Sequence, residues 1–198
     1  MQHLVIKAIA AAMLVGAGAG TMTDFAGGQK PNVPRDVLNP MVGGQAMLMR
    51  ASIFENASKS PEHSTLAAAI RAAGLDSLLK QNGPYTIFAP TDAAYAVLHG
   101  HVRESLIDPK NRPEAAREMG YLIVRGRLDS QALLKLINEN EGQAKLRTIE
   151  GGTLTAMLNG PTNIVLVDEC GNVADISTYD VYQSNGVMQV IDKVVRPN

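Results

Sequence analysis

The stretch YTIFAPTDAAYAVL, residues 85–98, begins as a strand and ends as a helix. Tyr85, Ile87 and Ala89 alternate with Thr86 and Phe88, a pattern rich in β-forming residues. Pro90 has no N–H with which to continue a ladder, and it restrains Ala89 to extended geometry. Thr91 then stands where a hydroxyl accepts a backbone N–H as N-cap. Asp92 falls in the first helical turn, where its charge meets the positive end of the helix dipole. Ala94, Val97 and Leu98 are expected to turn one apolar face inward. A switch this abrupt suits a catalytic elbow, a phosphate cradle or a structural corner, and the surrounding sequence has to decide among them.

Upstream, Ile53 and Phe54 open a short helix, and Ser64 or Thr65 is expected to cap TLAAAIRAAG, where Leu66, Ile70 and Ala73 recur at helical spacing. Gly74 sits at the position of a left-handed C-terminal cap, with Leu75 as its hydrophobic contact. A short DSLLKQ helix stops at Asn82-Gly83-Pro84. Downstream, Pro113 and Glu114 mark a helix start, and Tyr121-Leu122-Ile123-Val124 is expected to be a buried strand. Asp129 or Ser130 caps QALLKLINEN, whose Leu133, Leu134 and Ile137 share one face. The remainder carries strand signals separated by Gly151-Gly152, Asn159-Gly160 and ECGN, turn sequences that join antiparallel neighbours. Helices first and a run of strands after them define an α+β class.

The ends of this pattern resemble a known family. FAPTD with its short apolar helix, and SNGVMQVIDKVVRP at the close, resemble the two signature segments of the fasciclin domain. LIDPKNRPEAAREM and LRTIEGGTLTAML resemble its helix-entry segment and sheet hairpin, so the likeness runs from about Met47 to Asn198. The resemblance implies a β-wedge of mostly antiparallel strands flanked by several short helices, occupying residues 46–198. It implies an exported module associated with adhesion rather than chemistry, with a protein or polysaccharide partner at the cell surface or matrix. Envelope polysaccharide or small-ligand binding is the alternative. By that similarity Pro90, Thr91 and Asp92 are corner residues, while Asn185, Gly186 and Asp192 shape the last strand. Were Asp192 buried in VIDKVV, its carboxylate would need a hydrogen-bonded partner. Many members carry Tyr-His after the central helix, a segment linked with receptor binding in animal matrix proteins. Here Tyr121 precedes Leu122, so integrin-type recognition does not carry over; Tyr121 is either a partner contact or, the better reading, a core aromatic.

The chain supplies few parts for catalysis. His99-Gly100-His101 could begin a metal site but lacks a third ligand nearby, so an exposed loop is the better reading. No G-x-S-x-G occurs, no Ser or Cys motif accompanies His63, His99 or His101, and the glycines form neither a dinucleotide nor a phosphate loop. Asp168-Glu169 and Glu139/Glu141 fit no calcium-loop spacing. The expected cofactor is none and the expected enzyme activity is none.

Bulk composition narrows the partner. The 198 residues carry a net charge of −1 and no cationic run, which gives no footprint for nucleic acid or an anionic membrane. With no Trp, three Phe and five Tyr, stacking platforms are scarce. MQHLVIK followed by AIAAAMLVGAGA has the basic start, short apolar centre and A-x-A end of a secretory signal, residues 1–19, with a second small-residue site at Ala26. That apolar run is shorter than the roughly twenty residues a spanning helix needs, so no transmembrane segment is expected in the mature chain. Residues 20–45, rich in Gly and Pro, are expected to form a linker or loose arm. The expected destination is the periplasm or the exterior. Cys170 is alone, expected to be a partly buried thiol in a turn, and Asn56-Ala57-Ser58 is a glycosylation sequon.

Overall fold

A computed structural model describes residues 39–198 apart from 82 and 100. The expected signal segment and residues 20–38 of the expected arm lie outside the described residues. Asn39, near the end of that arm, is hydrogen-bonded to the rest of the chain. Asn39 Nδ2 donates to the Tyr182 carbonyl (2.6 Å) and the Met47 carbonyl (3.0 Å), and Tyr182 N donates back to Asn39 Oδ1 (2.9 Å). A small hairpin, β1 (Met41–Val42) with β2 (Gln45–Ala46), follows.

Two helices come next, α1 (Ile53–Lys59) and α2 (Ser64–Ala73). Ser52 and Glu55 close α1 with a reciprocal capping box, and Gly74 at φ 73 ends α2 in the left-handed region that favours glycine. Strand β3 (Tyr85–Pro90) leads into α3 (Asp92–Ala96), α4 (Val102–Ile107) and α5 (Arg112–Tyr121). Then come β4 (Ile123–Arg125), α6 (Ser130–Glu139), β5 (Gln143–Arg147), β6 (Thr153–Asn159), β7 (Asn163–Val167), β8 (Val173–Gln183) and β9 (Gly186–Ile191). Two local expectations are corrected. Val97 is 69% exposed, and Tyr95 instead buries itself from α3. Tyr121 is the last residue of α5, and the strand beyond it is shorter than expected.

The large sheet runs β4-β3-β9-β8-β7-β6-β5. Every neighbouring pair is antiparallel except β3 with β9, which run parallel from Tyr85↔Gly186 to Pro90↔Ile191. Both central strands are buried along their whole length, as expected of strands covered on two faces. β8 has register shifts between Ile176 and Val181, and such bulges bend a strand and increase its twist. Asp180, at φ 59, sits inside this irregular stretch; its N–H donates to Gln189 Oε1 (3.0 Å), while its carboxylate accepts from Ser130 N (2.7 Å). The strand that bends the sheet is thereby tied to the start of α6. The sheet curls until its two ends nearly touch: Val124 bridges Thr148, and Ile149 N donates to the Ile123 carbonyl (2.9 Å). The result is the wedge that the resemblance implied, with the short helices packed against it.

Candidate functional site

The corner at Pro90-Thr91-Asp92 is a junction of two helices and two strands. Thr91 N donates to the Ile191 carbonyl (3.4 Å), and its hydroxyl accepts from Ala94 N (3.3 Å) as N-cap of α3. Asp92 does more than charge the first turn. Its own N–H donates to the Glu62 carbonyl (2.7 Å), while its carboxylate accepts from Ser64 N (3.1 Å), Ser64 Oγ (2.6 Å) and Thr65 N (2.8 Å). The start of α2 is therefore capped from across the chain by Asp92; neither Ser64 nor Thr65 acts as its cap, and His63 fills the N-cap position without a side-chain capping bond. Burial alone would raise the Asp92 carboxyl, but hydrogen bonds from Ser64 and Thr65 outweigh it and hold the pKa below the ordinary value. Thr91→Ala should lower stability by about 1 kcal/mol through the lost cap, read as a lower urea midpoint at unchanged slope.

His63 lies beneath this corner. It has no exposed surface, its Nδ1 is 2.8 Å from Ser60 Oγ, and its Nε2 has no hydrogen-bond partner. Burial lowers its pKa from the ordinary 6.5, and the neighbouring Ala89 backbone, Asp92 and Glu62 offset only part of that. Between 6.5 and the lowered value the unfolded chain takes up the proton and the folded chain does not. The neutral-ring contribution is therefore complete above that window and declines as pH falls through it. His63→Phe should flatten the stability profile of the wild type between pH 7 and 5, measured by urea unfolding at each pH.

The final hairpin is equally occupied by internal bonds. Asn185 Oδ1 accepts from Ile53 N (2.9 Å), and its Nδ2 donates to the carbonyls of Leu79 (2.7 Å) and Gln81 (3.0 Å). Gly186 lies directly against β3, where an added Cβ would stand 1.9 Å from the Tyr85 carbonyl oxygen. Asp192 is exposed and lies just past β9, where its carboxylate accepts from Asp175 N (2.7 Å); the concern over a buried carboxylate in the last strand does not arise. Tyr121 is fully buried, among the core residues. Its hydroxyl donates to the Thr153 carbonyl (2.8 Å) and accepts from Glu169 N (3.2 Å), and burial pushes its pKa up to about 12.

The remaining candidates are scattered. His99 and His101 are exposed, and the His101 ring stands 4.0 Å from the Glu104 carboxylate. Among the described residues no three His, Cys, Asp or Glu side chains converge as a metal site. Asp168 is buried, accepting from Cys170 N (3.0 Å), Asn172 N (2.8 Å) and Arg196 N (3.1 Å), and so stabilises a turn. Cys170 is exposed on that turn rather than partly buried. The sequon is also corrected: Asn56 is buried and its amide is spent on the Leu48 backbone, at 3.0 and 2.9 Å, so the folded chain offers no acceptor there. Two open cavities, of about 570 and 510 Å³, border opposite parts of β5 and lie away from the signature corner. Sequence reasoning missed their lining, because the cations Arg125, Lys145 and Arg147 are dispersed along the chain and only sheet curvature gathers them.

With this geometry in place, known proteins supply the comparison. The family model described as the fasciclin domain matches residues 61–197. A Synechocystis protein, sll1483, is 32% identical over 147 residues, covering 74% of this chain and 73% of that protein. The pig transforming growth factor-beta-induced protein ig-h3 is 31% identical, covering 68% of this chain but only 17% of that protein. Human periostin is 30% identical, with coverages of 67% and 14%. A solved FAS1 domain pair from the insect cell adhesion molecule fasciclin I superposes with a TM-score of 0.64 at 14% identity, over 74% of this chain and 51% of that one. That likeness concerns the fold. No helix among the described residues is long and apolar enough to cross a membrane.

Proposed function

Because this chain belongs to the fasciclin domain family, we propose that it is an exported, non-enzymatic interaction module. It binds a partner in the envelope or outside the cell through its surface. The observation that carries this reading is that the signature residues are consumed internally. Thr91, Asp92 and Asn185 spend their polar atoms on the backbones of α2, α3 and the α1 entry, and Gly186 is pressed against β3. Groups so occupied hold a scaffold together, and they leave recognition to the exposed faces. The signal-like start supports export, and the adhesion molecule named among the solved relatives supports the adhesive role. Deleting the gene should reduce cell aggregation or surface adhesion, and restoring the full chain should recover it. Unchanged behaviour across several growth conditions would count against the role.

The open cavities beside β5 favour a second reading, a binder of envelope polysaccharide or of a small ligand. A glycan array separates the two, since saturable binding to one defined sugar would support the second.

A further inference from the structure

The geometry points to the outer edge of β5, with the cationic groove beside it, as the docking strip for an extended acidic segment of a partner protein. This rests on the interaction-module reading above and names its surface. β5 and β4 are the two terminal strands of the large sheet, and β5 pairs only with β6. The ends meet where Val124 bridges Thr148 and Ile149 N donates to the Ile123 carbonyl. The 510 Å³ groove at this junction is lined by Arg125 from β4, Lys145 and Arg147 from β5, and the apolar Leu128 and Ile149. The 570 Å³ opening at the Gln143 end shares Lys145 but is walled by Leu136, Glu139, Asn140 and Glu141, so the cationic lining is confined to the groove between Arg125 and Arg147. Arg125, Lys145 and Arg147 are all exposed, and among the described residues the ion pairs engage other cations.

Lysines on an edge strand commonly serve only to repel stray strands. That accounts for Lys145, but it does not call for a third cation facing the groove from another strand. An occupant of opposite charge uses all three. Lys145 and Arg147 lie two residues apart on one face, about 7 Å at the usual rise per residue. Carboxylates two residues apart on an added strand have the same spacing, and directly opposed charges across strands attract. Addition of a strand to an exposed sheet edge is an established mode of peptide recognition, in which backbone bonds supply affinity and alternate side chains supply specificity. The groove lining contains no aromatic ring on which a sugar could stack, which favours peptide over polysaccharide.

The test uses the full chain and a labelled peptide, Thr-Glu-Val-Glu-Val-Glu-Thr, followed by fluorescence anisotropy at 0.05 and 0.15 M salt. The proposal expects saturable binding that weakens with salt. It expects at least a tenfold loss in the Lys145→Glu/Arg147→Glu variant at an unchanged thermal midpoint, and loss when Gln replaces Glu in the peptide. N-methylation of alternate peptide nitrogens should also abolish binding, since a strand needs its N–H groups. Absence of saturation, indifference to the double variant, or equal binding of the N-methylated peptide or of polygalacturonate would each overturn it. Should the peptide fail while gene deletion still abolishes adhesion, the docking strip is wrong and the interaction-module reading stands.

Discussion

Gly186→Ala is expected to cost at least about 4 kcal/mol, enough to prevent accumulation of folded protein if the domain has ordinary stability. The cause is steric. A Cβ on residue 186 would stand 1.9 Å from the Tyr85 carbonyl oxygen, 2.9 Å from its carbonyl carbon and 2.8 Å from Ile53 Cδ1. The isoleucine can turn aside, but the Tyr85 carbonyl is backbone in a strand buried on both faces. Relief requires β9 to move away from β3 at Tyr85↔Gly186, where the parallel pairing begins, and that shift would disturb the bonds of neighbouring Asn185 as well. Overpacked cores relax by such movements and lose stability even when only one methyl is added. Soluble yield, near-ultraviolet dichroism and urea unfolding are the measurements. A loss below 1 kcal/mol would show that the two signature strands are less tightly coupled than their register indicates.

Arg196→Ala should be the next most damaging change, costing about 3–5 kcal/mol. Glu118, on α5, is nearly buried and accepts from Arg196 Nε at 3.1 and 3.0 Å and from Nη2 at 2.6 Å. Hydrogen bonding to Glu118 raises the pKa of the guanidinium, so the arginine stays charged. Removing the arginine strands a carboxylate away from water. Glu118→Leu should cost less, because Arg196 retains about a third of its side-chain surface and can turn to solvent. The double variant should recover part of the loss, and the cycle of four proteins measures the coupling. Equal losses in both single variants would contradict the asymmetry. The Arg196 backbone also donates to Asp168 at 3.1 Å, a bond the substitution leaves in place, so the measured difference belongs to the guanidinium.

How much of this was legible depended on whether the cause was local. The strand-to-helix corner, the Thr91 cap and Gly74 could be read because each follows from the preferences of a few adjacent residues. The cap of α2 could not, since Asp92 lies 28 residues from Ser64 and only the packing of α3 beside α2 brings the carboxylate there. Tyr121 illustrates a boundary error: its apolar neighbours suggest a strand, yet hydrogen bonding keeps it in the last turn of α5. Val97 followed helical spacing but α3 ends before it, so the face it was assigned does not extend that far. Asp180 and Gln189 gave no sequence signal, because their pairing depends on a bulge in β8 that no turn residue announces. The cationic groove was hidden for the same reason, since its two walls are the opposite ends of the sheet.

If the signature segments are scaffold, the exposed surface makes the contacts. The most direct measurement is retention of source cells by immobilised full chain, comparing wild type with Thr91→Ala and Asp92→Asn at a temperature where all three are folded. Equal, saturable retention per folded molecule is expected, despite lower unfolding midpoints in the variants. A folded variant that no longer retains cells would place the corner in the binding face and contradict the scaffold role.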